Sequence, residues 1–177
     1  MNKILLIHGN GGATGRDHWF PWVKERLEQK GLKVLTPDFP DAQLARASIW
    51  LPFIKKLGAD EQTILIGHSS GAVAAMRYAQ THCLFGSVLV GASSTDLGDE
   101  TEKASGYFDH PWNWDAIRNN QNWIIQFSST DDPYIPIHES RFVHKKLKTD
   151  YHEFSNRDHF MTPTFPELLE ILSKKLP

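Results

Sequence analysis

One short run, Ile64-Leu65-Ile66-Gly67-His68-Ser69-Ser70-Gly71, constrains this chain more than any other. An apolar, β-branched stretch ends in Gly-His-Ser-Ser-Gly. It passes at once into Ala72-Val73-Ala74-Ala75-Met76-Arg77-Tyr78-Ala79, which is rich in good helix formers. The pattern is strand, sharp turn, helix, with G-x-S-x-G at the turn. A serine that is to act as a nucleophile must project from the carboxyl end of a strand, and the turn that presents it is strained. Gly67 and Gly71 lack a Cβ, so strand and helix can approach closely around Ser69 at the tip. The Ser70 amide opens the helix and so points at any negative charge developing on a carbonyl oxygen. Glycine-rich strand-to-helix turns also occur in α/β proteins without this chemistry. The strand-turn-helix context is what favours a nucleophile elbow at Ser69.

The rest of the chain repeats the same alternation. Ile4 to Ile7 reads as a buried strand, and residues 18–30 as a helix carrying Trp19, Trp22, Val23 and Leu27 at helical spacing. Gly31 stops that helix, and Pro21 fits only near its start. Residues 32–36 form a second strand. Residues 43–57 form a second helix, with Leu44, Ala47, Trp50, Leu51 and Ile54 as inward candidates and Pro52 as a kink point. The third strand runs into the Ser69 turn. Further strands are expected at 87–90, 123–127 and 150–154, with helices at 137–148 and 165–176. Such alternation predicts an α/β fold: three layers, with a mostly or wholly parallel sheet of about six strands and helices on both faces. No repeat or linker divides residues 1–177, so a single domain is expected. Ligands in such sheets bind beyond the carboxyl ends of the strands.

Composition excludes several functions. The net charge is −2 with no long basic run, so a nucleic-acid partner has no electrostatic footprint. The one cysteine, Cys83, excludes an internal disulfide and suits a reducing compartment. The first residues lead into an apolar run far too short for a signal core or membrane span, so a cytoplasmic location is expected. No Lys-Ser/Thr pair follows the glycines of His8-Gly9-Asn10-Gly11-Gly12, and no G-x-G-x-x-G occurs, so no cofactor is expected. The nine histidines include no His-x-x-x-His on a helix and there is no cysteine pair, so no metal is expected either.

Three loops at the carboxyl edge carry chemistry. A serine hydroxyl needs a base to take its proton, and the base needs a third group to orient it. Ser69, then an aspartate, then His159 follows the chain order of one well-known arrangement, each just after a strand. Both Asp131 and Asp132 lie in the middle loop. Pro133 biases the residue before it to an extended conformation, which points to Asp132 as the acid. The glycine-rich loop after the first strand reads as an oxyanion loop, with a backbone amide near Asn10 or Gly11 as second donor beside that of Ser70. His8 is read as orienting that loop rather than as a base or ligand. His68 is expected to pack beside the elbow. Residues 91–120 hold Tyr107, Phe108, Trp112 and Trp114 among Gly, Ser, Asp and Pro. Two readings stand: a lid whose Phe108, Trp112 and Trp114, with Gly11, wall a substrate pocket, or a plug on the end of the core.

Several runs resemble one family specifically: Gly9-Asn10-Gly11-Gly12, Ser48-Ile49-Trp50-Leu51-Pro52-Phe53, the Gly67–Gly71 elbow with the helix after it, Asp96-Leu97-Gly98-Asp99-Glu100, Ala104-Ser105-Gly106-Tyr107-Phe108, Ser129-Thr130-Asp131-Asp132-Pro133 and His159-Phe160. On these the chain resembles the small serine hydrolases related to retinoblastoma-binding protein nine, within the α/β-hydrolase superfamily. The resemblance implies a compact α/β-hydrolase without a large cap domain and a triad of Ser69, Asp132 and His159. An intact nucleophile, base and acid favour cleavage of a small carboxylic ester, thioester or amide through an acyl-serine. The alternative is a catalytically silent protein-interaction module on the same fold. The family's namesake binds retinoblastoma protein through Leu-x-Cys-x-Glu. Here the stretch is Leu57-Gly58-Ala59-Asp60-Glu61, with Ala59 in place of the cysteine, so that binding is not expected.

Overall fold

The computed structural model describes residues 3–176. Among these residues six strands form one sheet: β1 (Lys3–Ile7), β2 (Lys33–Leu35), β3 (Thr63–His68), β4 (Gly86–Val90), β5 (Ile124–Ser129) and β6 (Asp150–Phe154). Their spatial order is β2-β1-β3-β4-β5-β6, and every neighbouring pair is parallel. Parallel pairing places the carboxyl ends of all six strands on one edge. The loops that follow β1, β3, β5 and β6, where sequence reasoning put the chemistry, therefore share that edge.

Among the described residues seven helices cover the sheet: α1 (Phe20–Glu28), α2 (Ala47–Lys56), α3 (Ser70–Ala79), α4 (Glu100–Ala104), α5 (Trp114–Asn119), α6 (Ile137–Leu147) and α7 (Pro166–Ser173). Side chains alternate across the strands and build two cores. Leu5, Ile7, Leu65 and Leu89 face one core, with Trp50 and Ile54 of α2, Ile117 of α5 and Val143 and Leu147 of α6. Ile4, Leu6, Ile64, Ile66, Val88 and Val90 face the other, with Phe20, Val23 and Leu27 of α1 and Leu168 and Leu172 of α7. Helix α3 is buried along all ten of its residues, so it can carry only small or apolar side chains and one satisfied cation, Arg77. The central strands are buried on both faces, which is why they read as continuous apolar runs.

Two expectations are corrected. The second helix begins at Ala47, not at residue 43. Asp41 and Ala45 take positive φ (56° and 52°), and the Asp41 carboxylate accepts from the Arg46 amide and guanidinium, which turns the chain before the helix starts. Trp50 and Ile54 are its buried residues, while Leu44 and Leu51 are only partly covered. The 91–120 insert is less irregular than its composition suggests. Asp99 caps α4 by accepting from the Thr101 and Glu102 amides, and Asn113 caps α5 by accepting from that of Ala116.

The aromatic half of this insert is clamped onto α3. The Arg77 guanidinium donates to the carbonyls of Tyr107 (2.6 Å), His110 (2.6 Å) and Pro111 (3.2 Å), and its Cζ lies 3.5 Å from the Trp112 ring centroid. Trp112 stacks on Trp114 and donates from its indole to Ser94 O at 2.8 Å. A buried cation on a packed helix needs acceptors, and the carbonyls of this segment supply them.

Candidate active site

Strand β3 delivers Ser69 at φ 56° and ψ −122°, a backbone conformation that L-residues seldom adopt. The flanking glycines are required by close approach. A Cβ on Gly67 would stand 2.2 Å from Gly71 O, and one on Gly71 would stand 2.2 Å from Ile7 O. Nothing larger than hydrogen fits between strand and helix there.

His159 Nδ1 donates to Asp132 Oδ2 at 2.8 Å, and both side chains are almost closed to solvent. The other carboxylate oxygen of Asp132 accepts from the amides of Tyr134 (2.9 Å) and Ile135 (3.0 Å). With Nδ1–H committed to the carboxylate, Nε2 of the neutral ring is the nitrogen left with a lone pair. Asp131 is exposed and does a different job. It accepts from the Ser129 hydroxyl and from the Asp158 amide, tying the loop after β5 to the loop that bears His159. The Ser129 hydrogen bond chiefly holds the Asp131 carboxyl below the usual range.

Two further histidines frame the site. His68 Nε2 donates to the carbonyl of His159 at 2.7 Å, which fixes the backbone of that residue. Burial first, then the neighbouring His159 ring, pushes the His68 pKa down to about 3, so it serves as a neutral donor. His8 donates from Nδ1 to Gly9 O (2.7 Å) and accepts at Nε2 from the Phe39 amide (2.9 Å). Both ring nitrogens are thereby used, and burial lowers its pKa. His8 braces the glycine loop and has no free nitrogen for proton transfer.

A cleft of about 790 Å³ opens over these residues. Ser69, His159, Asn10 and Gly11 line it together. Phe108, Trp112 and Trp114, expected as pocket walls, do not. They pack against the α3 face of the core instead, because Arg77 holds their segment there. The part of the insert that does reach the cleft is Leu97, Asp99, Thr101 and Glu102. The cleft carries Asp17, Asp99 and Glu102 and no lysine or arginine. Its opposite rim is apolar: Tyr134 and Met161 stand 60% and 49% exposed, and the Tyr134 ring lies edge-on to that of His159 at 5.0 Å. Among the described residues no three His, Cys, Asp or Glu side chains converge as a metal site requires.

Glu102 escaped the sequence reading. Its Oε1 accepts from Asn10 Nδ2 (2.7 Å) and from the Ser70 hydroxyl (3.3 Å). In sequence it reads only as the last acid of a helix-capping run beginning at Asp99. Nothing local shows that it meets a residue 92 positions away.

Residues 4–165 match the family model described as serine hydrolase. The chain is 48% identical over 177 residues to serine hydrolase RBBP9 of Rattus norvegicus, covering 98% of this chain and 95% of that one. The crystal structure of the ydeN gene product of B. subtilis superposes with a TM-score of 0.91 at 22% identity, covering 99% and 98% of the two chains. A carboxylesterase from Nitrososphaera gargenis superposes with a TM-score of 0.73 at 14% identity, over 98% and 89%.

Proposed function

The chain belongs to the serine hydrolase family, and on that premise we propose that it cleaves small carboxylic esters, thioesters or amides through an acyl-serine intermediate. Ser69 attacks the carbonyl carbon and His159 Nε2 takes the hydroxyl proton. Asp132 holds the imidazole in the tautomer that leaves Nε2 free and steadies the imidazolium that forms. The oxyanion is received by the main-chain amides of Ser70 and Asn10. Asn10 is preferred over Gly11 because the Gly11 amide already donates to Gln43 O at 3.2 Å. His159 then returns the proton to the leaving group, and water repeats the sequence to release the acid.

The observation that carries this reading is the buried Asp132–His159 pair, whose histidine lines one cleft with a serine at the tip of a strained strand-to-helix turn. Three carboxyls and no lysine or arginine in the cleft favour acyl groups without a free carboxylate near the reacting carbon. Labelling with a fluorophosphonate probe, together with p-nitrophenyl esters of graded chain length, tests the reading. The wild-type protein should be labelled and turn over esters. Ser69→Ala should lose the label and several orders of magnitude in rate while keeping its fold. A wild type that is neither labelled nor active would leave the interaction-module reading in its place.

A further inference from the structure

The two amides assigned to the oxyanion lie on separate segments. Asn10 sits in the loop after β1 between Gly9 and Gly11; His8 braces the Gly9 carbonyl, and the amides of Gly11 and Gly12 donate to Gln43 O and Ala42 O. Ser70 begins α3. Their spacing must hold to within a few tenths of an ångström for both amides to meet one oxygen. Among the described residues, one side chain is hydrogen-bonded to the side chains of both. Glu102, on α4, accepts from the Asn10 side chain and the Ser70 hydroxyl at a single oxygen, Oε1.

We propose that Glu102 is a positioning residue that sets the width of the oxyanion hole by tying the side chains of Asn10 and Ser70 together. The inference rests on the oxyanion assignment above. It also gives the insert between β4 and β5 a part in the chemistry: the Asp99 cap holds α4, α4 holds Glu102, and Glu102 holds the hole. The tie needs an acceptor oxygen and not a charge. Burial raises the Glu102 pKa, consistent with a site that tolerates the neutral carboxyl. Glutamine offers the same oxygen at the same reach, whereas alanine offers none.

The test compares Glu102→Gln, Glu102→Ala and Asn10→Ala with wild type. It reads kcat and KM on one short-chain p-nitrophenyl ester and the inhibition constant of a phenylboronic acid, whose adduct with serine carries the tetrahedral geometry. Glu102→Ala should lose roughly ten- to a hundredfold in kcat, short of the loss seen on deleting an oxyanion donor outright, with KM nearly constant. Boronate affinity should weaken by a similar factor. Glu102→Gln should stay within about threefold of wild type, because the oxygen acceptor remains. Asn10→Ala should reproduce the alanine phenotype from the other end, and the double variant should be little worse than either single one. An active wild type with an unaffected Glu102→Ala overturns this inference alone. So does equal damage from glutamine and alanine, or a rise in KM with kcat unchanged. An inert wild type overturns the hydrolase reading, and this inference falls with it. Should Glu102→Ala not fold, Asn10→Ala against Glu102→Gln decides: a wild-type kcat in Asn10→Ala overturns the inference.

Discussion

Gly91, the residue directly after β4, separates backbone strain from catalytic geometry. Its φ is +62°, and a Cβ placed there would stand 3.2 Å from His159 Cε1, 3.4 Å from His159 Nδ1 and 3.7 Å from Asp132 Oδ2. Gly91→Ala therefore has two effects. The left-handed conformation costs an L-residue about 1–2 kcal/mol. In a chain of this size that lowers Tm by about 2–8 °C, at some 2–4 °C per kcal/mol. The methyl group also crowds the imidazole below the ~3.5–4.0 Å at which carbon atoms pack best. The ring must yield by a few tenths of an ångström. Since a displacement of ~1 Å can cost about a hundredfold in rate, a kcat loss of about tenfold is expected, with little change in KM. Gly31 is the control. It also has a positive φ, +79°, but no atom within 4 Å of the added Cβ, and it lies beyond the end of α1. Gly31→Ala should lower Tm comparably and leave kcat alone. Calorimetry and steady-state ester hydrolysis on the three proteins suffice. If Gly91→Ala and Gly31→Ala share the same kcat, the contact between Gly91 and the histidine has no catalytic meaning.

Asp132→Asn should cost about 10⁴ in kcat, whereas Asp131→Asn should stay within about tenfold of wild type; the reverse order on one ester would reassign the acid. Arg77→Met removes three charge-assisted hydrogen bonds to the insert and the contact with Trp112, and should destabilise by about 2–4 kcal/mol in urea titration. Its effect on kcat should be small, because none of the residues it holds lines the cleft; a kcat loss without a stability loss would contradict the clamp. Burial pushes the Glu139 carboxyl up, but hydrogen bonds from the amides and hydroxyls of Ser94 and Thr95 outweigh it and hold its pKa below the usual range. A folded pKa below the unfolded one adds stability that is present above about pH 4.3 and is lost as pH falls through the folded value. Wild-type stability should thus fall more steeply than that of Glu139→Gln between about pH 5 and pH 3, and parallel curves would refute the linkage.

The sequence disclosed what local periodicity controls. Strand β6 lies where alternation placed it, at Asp150–Phe154, and α6 ends one residue short of expectation. That Ser69, Asp132 and His159 follow β3, β5 and β6 on one edge could be read from the sequence because parallel pairing turns chain order into shared location. What stayed hidden depends on contacts between distant segments. The tryptophans of the insert read as a lid or a plug with equal ease until Arg77, more than 30 residues upstream, is seen to hold the carbonyls of His110 and Pro111 just before them. The start of α2 was missed because positive φ at Asp41 and Ala45 leaves no mark that composition can reveal. Glu102 drew no notice in the sequence because its partners are a loop and a helix end elsewhere in the chain.

The φ of 56° at Ser69 also means that the folded state is not at its own optimum. A residue in so sparse a region carries about 1–3 kcal/mol of strain, while glycine would occupy it freely and lose only about 0.5–1 kcal/mol through its larger unfolded-state entropy. The protein would therefore be sturdier with the Ser69 hydroxyl removed. Selection for heat resistance alone would discard Ser69 among the first residues, and under the proposed mechanism a demand for turnover is what keeps it in place.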